Sequence, residues 1–171
     1  MTGGQRVTVE TAAGMRALGR RLASLLRAGD LVILSGSLGA GKTTLVQGIG
    51  EGLGVRGPVT SPTFVIARVH PSLTGGPDLV HADAYRLASP AEVDDLDLDE
   101  ATDSSVTVVE WGGGLAEGLA SDRLEVTITP LDAAAIPGGE PRAVCIAGHG
   151  GRWDVVGDSA FLALSGTSEG L

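Results

Sequence analysis

The sequence predicts an α/β fold built on a mostly parallel sheet, with antiparallel strands added towards the C-terminal end. Two β-forming runs, Leu31–Leu34 and Val106–Val109, the second apolar but for Thr107, read as strands covered on both sides. A glycine-rich loop follows the first run and opens a helical pattern, which gives the strand–loop–helix order of an α/β protein. With 171 residues, 43% hydrophobic and 19% charged, the chain can bury a core but is short for two independent enzymatic domains.

The elements follow in order. Val7–Glu10 alternates as a short strand, and Thr11 caps a helix whose Met15, Leu18, Leu22, Leu25 and Leu26 recur at helical spacing. Arg16, Arg20 and Arg27 form a basic stripe on the opposite face, and Gly29-Asp30 stops the helix. Leu31–Ser35 is a buried strand, and Lys42–Leu53 is the helix after the loop. Thr60–Thr63 reads as a turn, Phe64–Val69 as a strand, Pro71–Pro77 as a surface connection and Leu79–Ala84 as a further strand. Ser89-Pro90-Ala91-Glu92 combines a cap, a proline at the first helical position and a glutamate reaching back, so a short acidic helix is expected there. Arg123–Thr129 alternates with Leu124, Val126 and Ile128 on one side, and Arg142–Ala147 is the last candidate strand. One domain over 1–147 is expected, with 148–171 a C-terminal tail of weak patterning.

The chemistry concentrates in Gly36-Ser37-Leu38-Gly39-Ala40-Gly41-Lys42-Thr43, which has the glycine, lysine and hydroxyl spacing of a phosphate-binding P-loop. Such a loop, between an apolar strand and a helix, points backbone amides at phosphate oxygens and adds the positive potential of the helix N-terminus. Lys42 then bridges the β- and γ-phosphates and Thr43 offers its hydroxyl to Mg²⁺. Lys42 is the only lysine in the chain; the eleven other basic side chains are arginines. Magnesium prefers one or two carboxylates beside phosphate oxygens, and two acids end apolar strands here, Asp83 and Glu110. Strand carboxyl ends line the ligand crevice of an open α/β sheet, so both acids are expected to converge there, one on the metal and the other on the attacking water. Thr63, in the proline-stiffened segment Thr60–Thr63, is a candidate sensor of the γ-phosphate or simply part of a turn. Trp111 either covers the nucleotide or packs; His81 either orients the site or is a core histidine. The acidic series Asp94, Asp95, Asp97, Asp99 and Glu100 lacks EF-hand spacing and reads as a solvated face or partner surface. His70 and His149 show no obvious partner, and Cys145 reads as a small buried filler.

A formal net charge of −9 argues against a protein that holds nucleic acid over its whole surface. Residues 1–70 carry +5 and residues 71–171 carry −14, an asymmetry that suits different partners on two faces. One cysteine and three scattered histidines make neither an intrachain disulfide nor a zinc-finger spacing, so no metal cluster is expected. No apolar run approaches the roughly 18 residues of a membrane helix, and the first ten residues lack the apolar core of a signal peptide; a cytoplasmic protein without membrane contact is expected.

Taken together, Leu38-Gly39-Ala40-Gly41-Lys42-Thr43-Thr44, Ser61-Pro62-Thr63-Phe64, His81-Ala82-Asp83-Ala84-Tyr85-Arg86-Leu87 and Val109-Glu110-Trp111 resemble the TsaE (YjeE) family in order and spacing. The family is the bacterial ATPase required for threonylcarbamoyladenosine formation in tRNA. The similarity covers about residues 31–111 by motif, and residues 6–147 with the flanking elements. The resemblance implies a compact three-layer P-loop NTPase-like fold that binds ATP and Mg²⁺ and acts with TsaB and TsaD, meeting tRNA only through that assembly. It also implies weak ATP hydrolysis by the chain alone. Carried over by motif, residues Ser37, Leu38, Gly39, Ala40, Gly41, Lys42, Thr43 and Thr44 hold the nucleotide, and Thr63 belongs to a switch-like loop. Thr43 and Glu110 hold the metal, and Asp83 orients water, with exchanged roles for the two acids as the alternative. Ser37 departs from the family pattern, standing where relatives commonly carry an acidic residue.

Two other functions fit the loop. A small-molecule kinase would need an arginine-bearing lid and an acceptor-binding insertion, for which the short connections leave little room. A nucleotide-gated adaptor would use ATP only to order the Thr60–Thr63 loop.

Overall fold

The computed structural model describes residues 4–36, 39, 41–57, 59, 67–83, 104–110, 122–131 and 141–165. In chain order these form β1 (Gln5–Val9), α1 (Ala12–Ala23), β2 (Leu31–Gly36), α2 (Lys42–Leu53), β3 (Ala67–His70) and β4 (Asp78–Asp83). There follow β5 (Ser105–Glu110), β6 (Arg123–Pro130), β7 (Arg142–His149), α3 (Gly151–Leu162) and a 3₁₀ turn, Ala163–Ser165. The helix expected after Ser89 lies outside the described residues.

All seven strands join one sheet in the order β1-β7-β6-β2-β5-β4-β3. The ladders β2·β5, β2·β6 and β4·β5 are parallel, whereas β1·β7, β6·β7 and β3·β4 are antiparallel. The sheet is therefore mixed, not mostly parallel, with its parallel pairings at the centre and antiparallel ones at both ends. β6 was expected among the antiparallel additions but runs parallel to β2, Val32 facing Leu124 and Leu34 facing Val126. Only β7 and β1 continue antiparallel beyond it. Alternation along one strand cannot reveal which neighbour it meets, or in which direction.

Every residue of β5 is buried, Thr107 between its valines included, as a central strand covered on both faces requires. One face of the sheet carries Val32, Leu34, Leu79, Val106, Val108, Leu124, Val126, Val144 and Ile146, packed into a single core with Met15, Leu18 and Leu22 of α1 and Leu45, Val46 and Ile49 of α2. Leu31, Ile33, Val80 and Val109, which alternate to the other face, are also buried.

Thr11 caps α1 by accepting the Gly14 N–H at 3.0 Å. The helix ends at Ala23 rather than running on through Leu26, because the Ser24 hydroxyl donates to the Arg21 carbonyl at 2.6 Å and draws the last turn in. Leu25 and Leu26 donate to Leu22 and Ala23 in the tighter i→i+3 pattern, which preserves their helical spacing in the sequence. α1 and α2 then cross in backbone contact. A Cβ at Gly48 would meet the Arg16 carbonyl, 2.9 Å from its carbon, and a Cβ at Gly19 would stand 2.8 Å from the Ile49 nitrogen. Arg16 and Arg20, on the basic stripe, both reach Glu51 of α2, at 3.2 and 2.8 Å.

Beyond residue 147 the chain joins this core: Trp153, Phe161 and Leu164 are buried, with Trp153 and Phe161 ring centroids 6.0 Å apart. Gly157, at φ 76° and ψ 165°, breaks α3 into two helical pieces. The segment is tied back by Arg152, whose guanidinium contacts both carboxylate oxygens of buried Asp30 at 3.2 and 3.0 Å and the Leu25 carbonyl at 2.7 Å. Cys145 is exposed, contrary to the expected buried filler. On β7 the alternation sends Val144 and Ile146 into the core and the cysteine between them to the other side.

Candidate functional site

Three parallel neighbours, β2, β5 and β4, end side by side, and their carboxyl ends bring distant parts of the chain together. β2 ends at Gly36 and the chain re-enters regular structure at Gly41, the N-cap of α2. Gly41 has φ 106° and Gly39 φ 79°, backbone conformations that a side chain would strain. No side chain caps α2, so its first amides take no hydrogen bond from a capping residue.

Lys42, the first residue of α2, is 6% exposed and turns its Nζ back to donate to the Gly36 carbonyl at 2.8 Å. Burial holds its ammonium below the usual lysine value of 10.5, a shift opposed by the negative charges of Glu110 and Asp83. Thr43 directs Oγ1 to Glu110 Oε1 at 3.4 Å. Asp83 and Glu110 are register partners at the ends of β4 and β5, so their side chains leave the same face of the sheet. Glu110 is 3% exposed. His81, two residues before Asp83, is fully buried, and its Nε2 lies 3.3 Å from Glu110 Oε1 without the alignment of a hydrogen bond. It is thus both a core histidine and a neighbour of the expected metal ligand.

The donor set fits a small hard cation. Thr43 and Glu110 offer a hydroxyl and a buried carboxylate at near contact, and Asp83 stands beside them, all oxygen donors of the kind Mg²⁺ takes. Among the described residues no group of three or more His, Cys, Asp or Glu side chains could hold a metal by itself. Such an ion would therefore complete its shell with ligand oxygens and water.

A cavity of about 120 Å³ opens on the other side of the loop, lined by Thr11, Ala12, Met15, Gly39, Gly41, Thr44 and Arg142. Arg142, the first residue of β7, donates to the Gly39 carbonyl at 3.3 Å. Sequence reasoning missed Arg142 as well as Thr11 and Met15 in this role. The only available signal was that one charged residue heads the last strand, and nothing in the sequence reveals that this strand end lies against the loop.

Of the expected site residues, Gly39, Gly41, Lys42, Thr43, Thr44, Asp83 and Glu110 are described and gather here. Ser37, Leu38, Ala40, Thr63 and Trp111 lie outside the described residues, as does the acidic series from Asp94 to Glu100. The remaining histidines have surroundings after all. His149 Nε2 lies 3.3 Å from Glu125 Oε2, and His70 is buried in β3. No helix among the described residues is long and apolar enough to cross a membrane.

The model of the family described as "Threonylcarbamoyl adenosine biosynthesis protein TsaE" matches residues 9–135. The chain is 64% identical over 150 residues to the tRNA threonylcarbamoyladenosine biosynthesis protein TsaE of Streptomyces coelicolor, covering 87% of this chain and 99% of that one. It is 34% identical over 142 residues to the protein of the same description from Bacillus subtilis, covering 82% and 84%. The crystal structure of Bacillus subtilis YdiB superposes with a TM-score of 0.72 at 28% identity, covering 96% of each chain.

Proposed function

The chain belongs to the TsaE family, whose members act in tRNA threonylcarbamoyladenosine biosynthesis, and from that membership and the site geometry we propose that it is a Mg²⁺-dependent ATPase of P-loop NTPase type serving that modification with TsaB and TsaD. The observation that carries the proposal is the meeting of Lys42, Thr43, Asp83 and Glu110, drawn from three separate segments, at the carboxyl ends of neighbouring strands.

Each residue then has a task. The loop amides and the open N-terminus of α2 cradle the phosphates, and Lys42 exchanges the Gly36 carbonyl for oxygens of the β- and γ-phosphates. Thr43 and Glu110 would hold Mg²⁺, which would supply charge neutralisation for the phosphates. Asp83, beside Glu110, orients a water molecule and accepts its proton as the water oxygen bonds to the γ-phosphorus and the bond to the β–γ bridging oxygen breaks, giving ADP and phosphate. Thr63 belongs to the loop that responds to the γ-phosphate, and the Arg142-lined cavity is assigned to the nucleoside. Partner subunits accelerate hydrolysis, and tRNA is met through them rather than by this acidic chain alone.

The test is calorimetric titration with ATP·Mg, followed by phosphate release from the chain alone and with TsaB and TsaD. Lys42→Ala is expected to weaken ATP·Mg binding by about 10- to 100-fold, the worth of its charge-assisted hydrogen bonds. Asp83→Ala is expected to keep nucleotide affinity and to lose multiple turnovers of tRNA modification. No heat with ATP·Mg overturns the nucleotide site. Binding without phosphate release, together with sustained modification by Asp83→Ala, would instead make the chain a nucleotide-gated adaptor.

A further inference from the structure

We propose that His81 is a positioning residue for Glu110: its imidazole Nε2 secures Oε1, so that the carboxylate presents its other oxygen to the cation shared with Thr43. This rests on the metal-dependent nucleotide site proposed above and adds to it a residue that does not itself touch ligand.

His81 sits in a layer that has no need of an imidazole. It is fully buried on the core face of β4, with Leu79 two residues before it and Val108 opposite it on β5. Among the described residues neither ring nitrogen has a hydrogen-bond partner. A buried polar group left unsatisfied carries a desolvation penalty that valine or leucine would avoid, so the ring calls for an explanation beyond packing.

Nε2 stands 3.3 Å from Glu110 Oε1. The sheet register makes this approach systematic. His81 pairs with Val108, and Glu110 follows Val108 by two residues on the same face, so the side chains meet on the diagonal of a parallel ladder. Oε1 is also the atom that Thr43 Oγ1 approaches, at 3.4 Å. Both contacts are long, as contacts in ligand-free sites often are before the bound state tightens them. The Thr43 hydroxyl can offer a lone pair to a cation while its O–H still points at Oε1, so Oε1 faces Thr43 on one side and His81 on the other. With Oε1 held from both sides, a nearly buried carboxylate keeps its orientation and turns its remaining oxygen to the ion. Partners of this kind behind metal ligands commonly contribute about 10- to 100-fold to metal affinity.

The experiment separates this from simple core filling. Binding of a non-hydrolysable ATP analogue is measured by calorimetry with Mg²⁺ and again with EDTA, and the ratio of the two affinities is the magnesium gain. His81→Gln carries an amide nitrogen out to the position of Nε2, whereas His81→Asn stops near Nδ1. The glutamine variant is expected to retain the wild-type gain within about threefold and the asparagine variant to lose about tenfold or more, while affinities in EDTA stay within about twofold for both. His81→Leu is expected to follow asparagine; if it does not fold, the two amide variants decide the matter. Equal gains in the glutamine and asparagine variants, or a loss shared equally between Mg²⁺ and EDTA, overturn the proposal and leave a structural role. A wild-type chain that binds the analogue with no magnesium gain overturns the metal site beneath it instead.

Discussion

Gly48→Ala tests the crossing of α1 and α2, on which the placement of the proposed phosphate loop depends. A methyl group at this position would strike the Arg16 carbonyl oxygen and come within 2.9 Å of the carbonyl carbon and 3.0 Å of its Cα. Ordinary contact begins near 3.4 Å, so α1 would have to retreat by about half an ångström from its carbons and further from its oxygen. The atoms struck are backbone, and no rotamer change relieves them. Gly19 on the facing helix is fitted as tightly, with the Gly48 carbonyl carbon 2.9 Å from where its own Cβ would be. Overpacking costs about 1–3 kcal/mol, and a backbone clash that no rotamer relieves belongs in the upper part of that range, about 2–3 kcal/mol. Alanine in a helix interior otherwise gains about 1 kcal/mol over glycine, so an open position would be stabilised and this one should lose a net ~1–2 kcal/mol. For a chain of this size that lowers Tm by about 2–8 °C, readable by circular dichroism melting, and it should weaken ATP·Mg binding because α2 opens with Lys42 and Thr43. Gly151→Ala, where a Cβ meets nothing within 4 Å, serves as the control and should stay within about 0.5 kcal/mol of wild type. A Gly48→Ala protein that melts at or above the wild-type temperature would refute the tight crossing.

Two further outcomes are expected of the structural shell. Burial holds the His70 imidazole below its ordinary value of 6.5, with nearby His81 and Arg68 pressing it further down and a backbone hydrogen bond to Arg56 opposing them. The unfolded chain therefore binds more protons than the native one just below pH 6.5, stability falls on acidification through that window and is recovered above it. His70→Gln should reduce the difference between urea midpoints at pH 5 and pH 7.5; an unchanged difference would exclude His70 as its source. Asp30→Ala leaves the Arg152 guanidinium without its carboxylate at a site where both side chains are largely buried, and should cost about 3–5 kcal/mol. Combined with Arg152→Leu in a double-mutant cycle, the loss should fall well short of the two single losses together, and strict additivity would show that the pair does not interact.

Local rules made α2 and β5 readable. Gly41 and Gly54 bracket α2 with positive φ on either side, and its expected range Lys42–Leu53 matches the one found. The run Val106–Val109, apolar but for Thr107, reads as a strand buried on both faces, and β5 is buried throughout. The end of α1 was less visible because a 3₁₀ turn continues the leucine spacing past Ala23. Pairing direction escaped for a different reason. β6 looks like any half-buried strand, and its parallel contact with β2 is decided by a chain reversal nearly ninety residues long. Glu110 and Asp83 were legible as strand-end acids, since termination of an apolar run by a carboxylate is a local signal. Arg142 was not, because its role depends on β7 lying two strands from β2, which brings its first residue to the loop. Trp153 and Phe161 were obscured by Gly157, whose kink interrupts the periodicity that would have marked a helix.

The pairing of the first strand with the last has a bearing on how the protein emerges during synthesis. β1 has β7 for its sheet neighbour, residue 7 facing residue 144, and the core beside them is filled by Trp153, Phe161 and Leu164. On the ribosome, the central βα units could form early, but β1 must wait for residues 142–146 before it finds its partner. A nascent chain arrested before residue 164 leaves the exit tunnel would hold an open apolar seam, a ready substrate for chaperones.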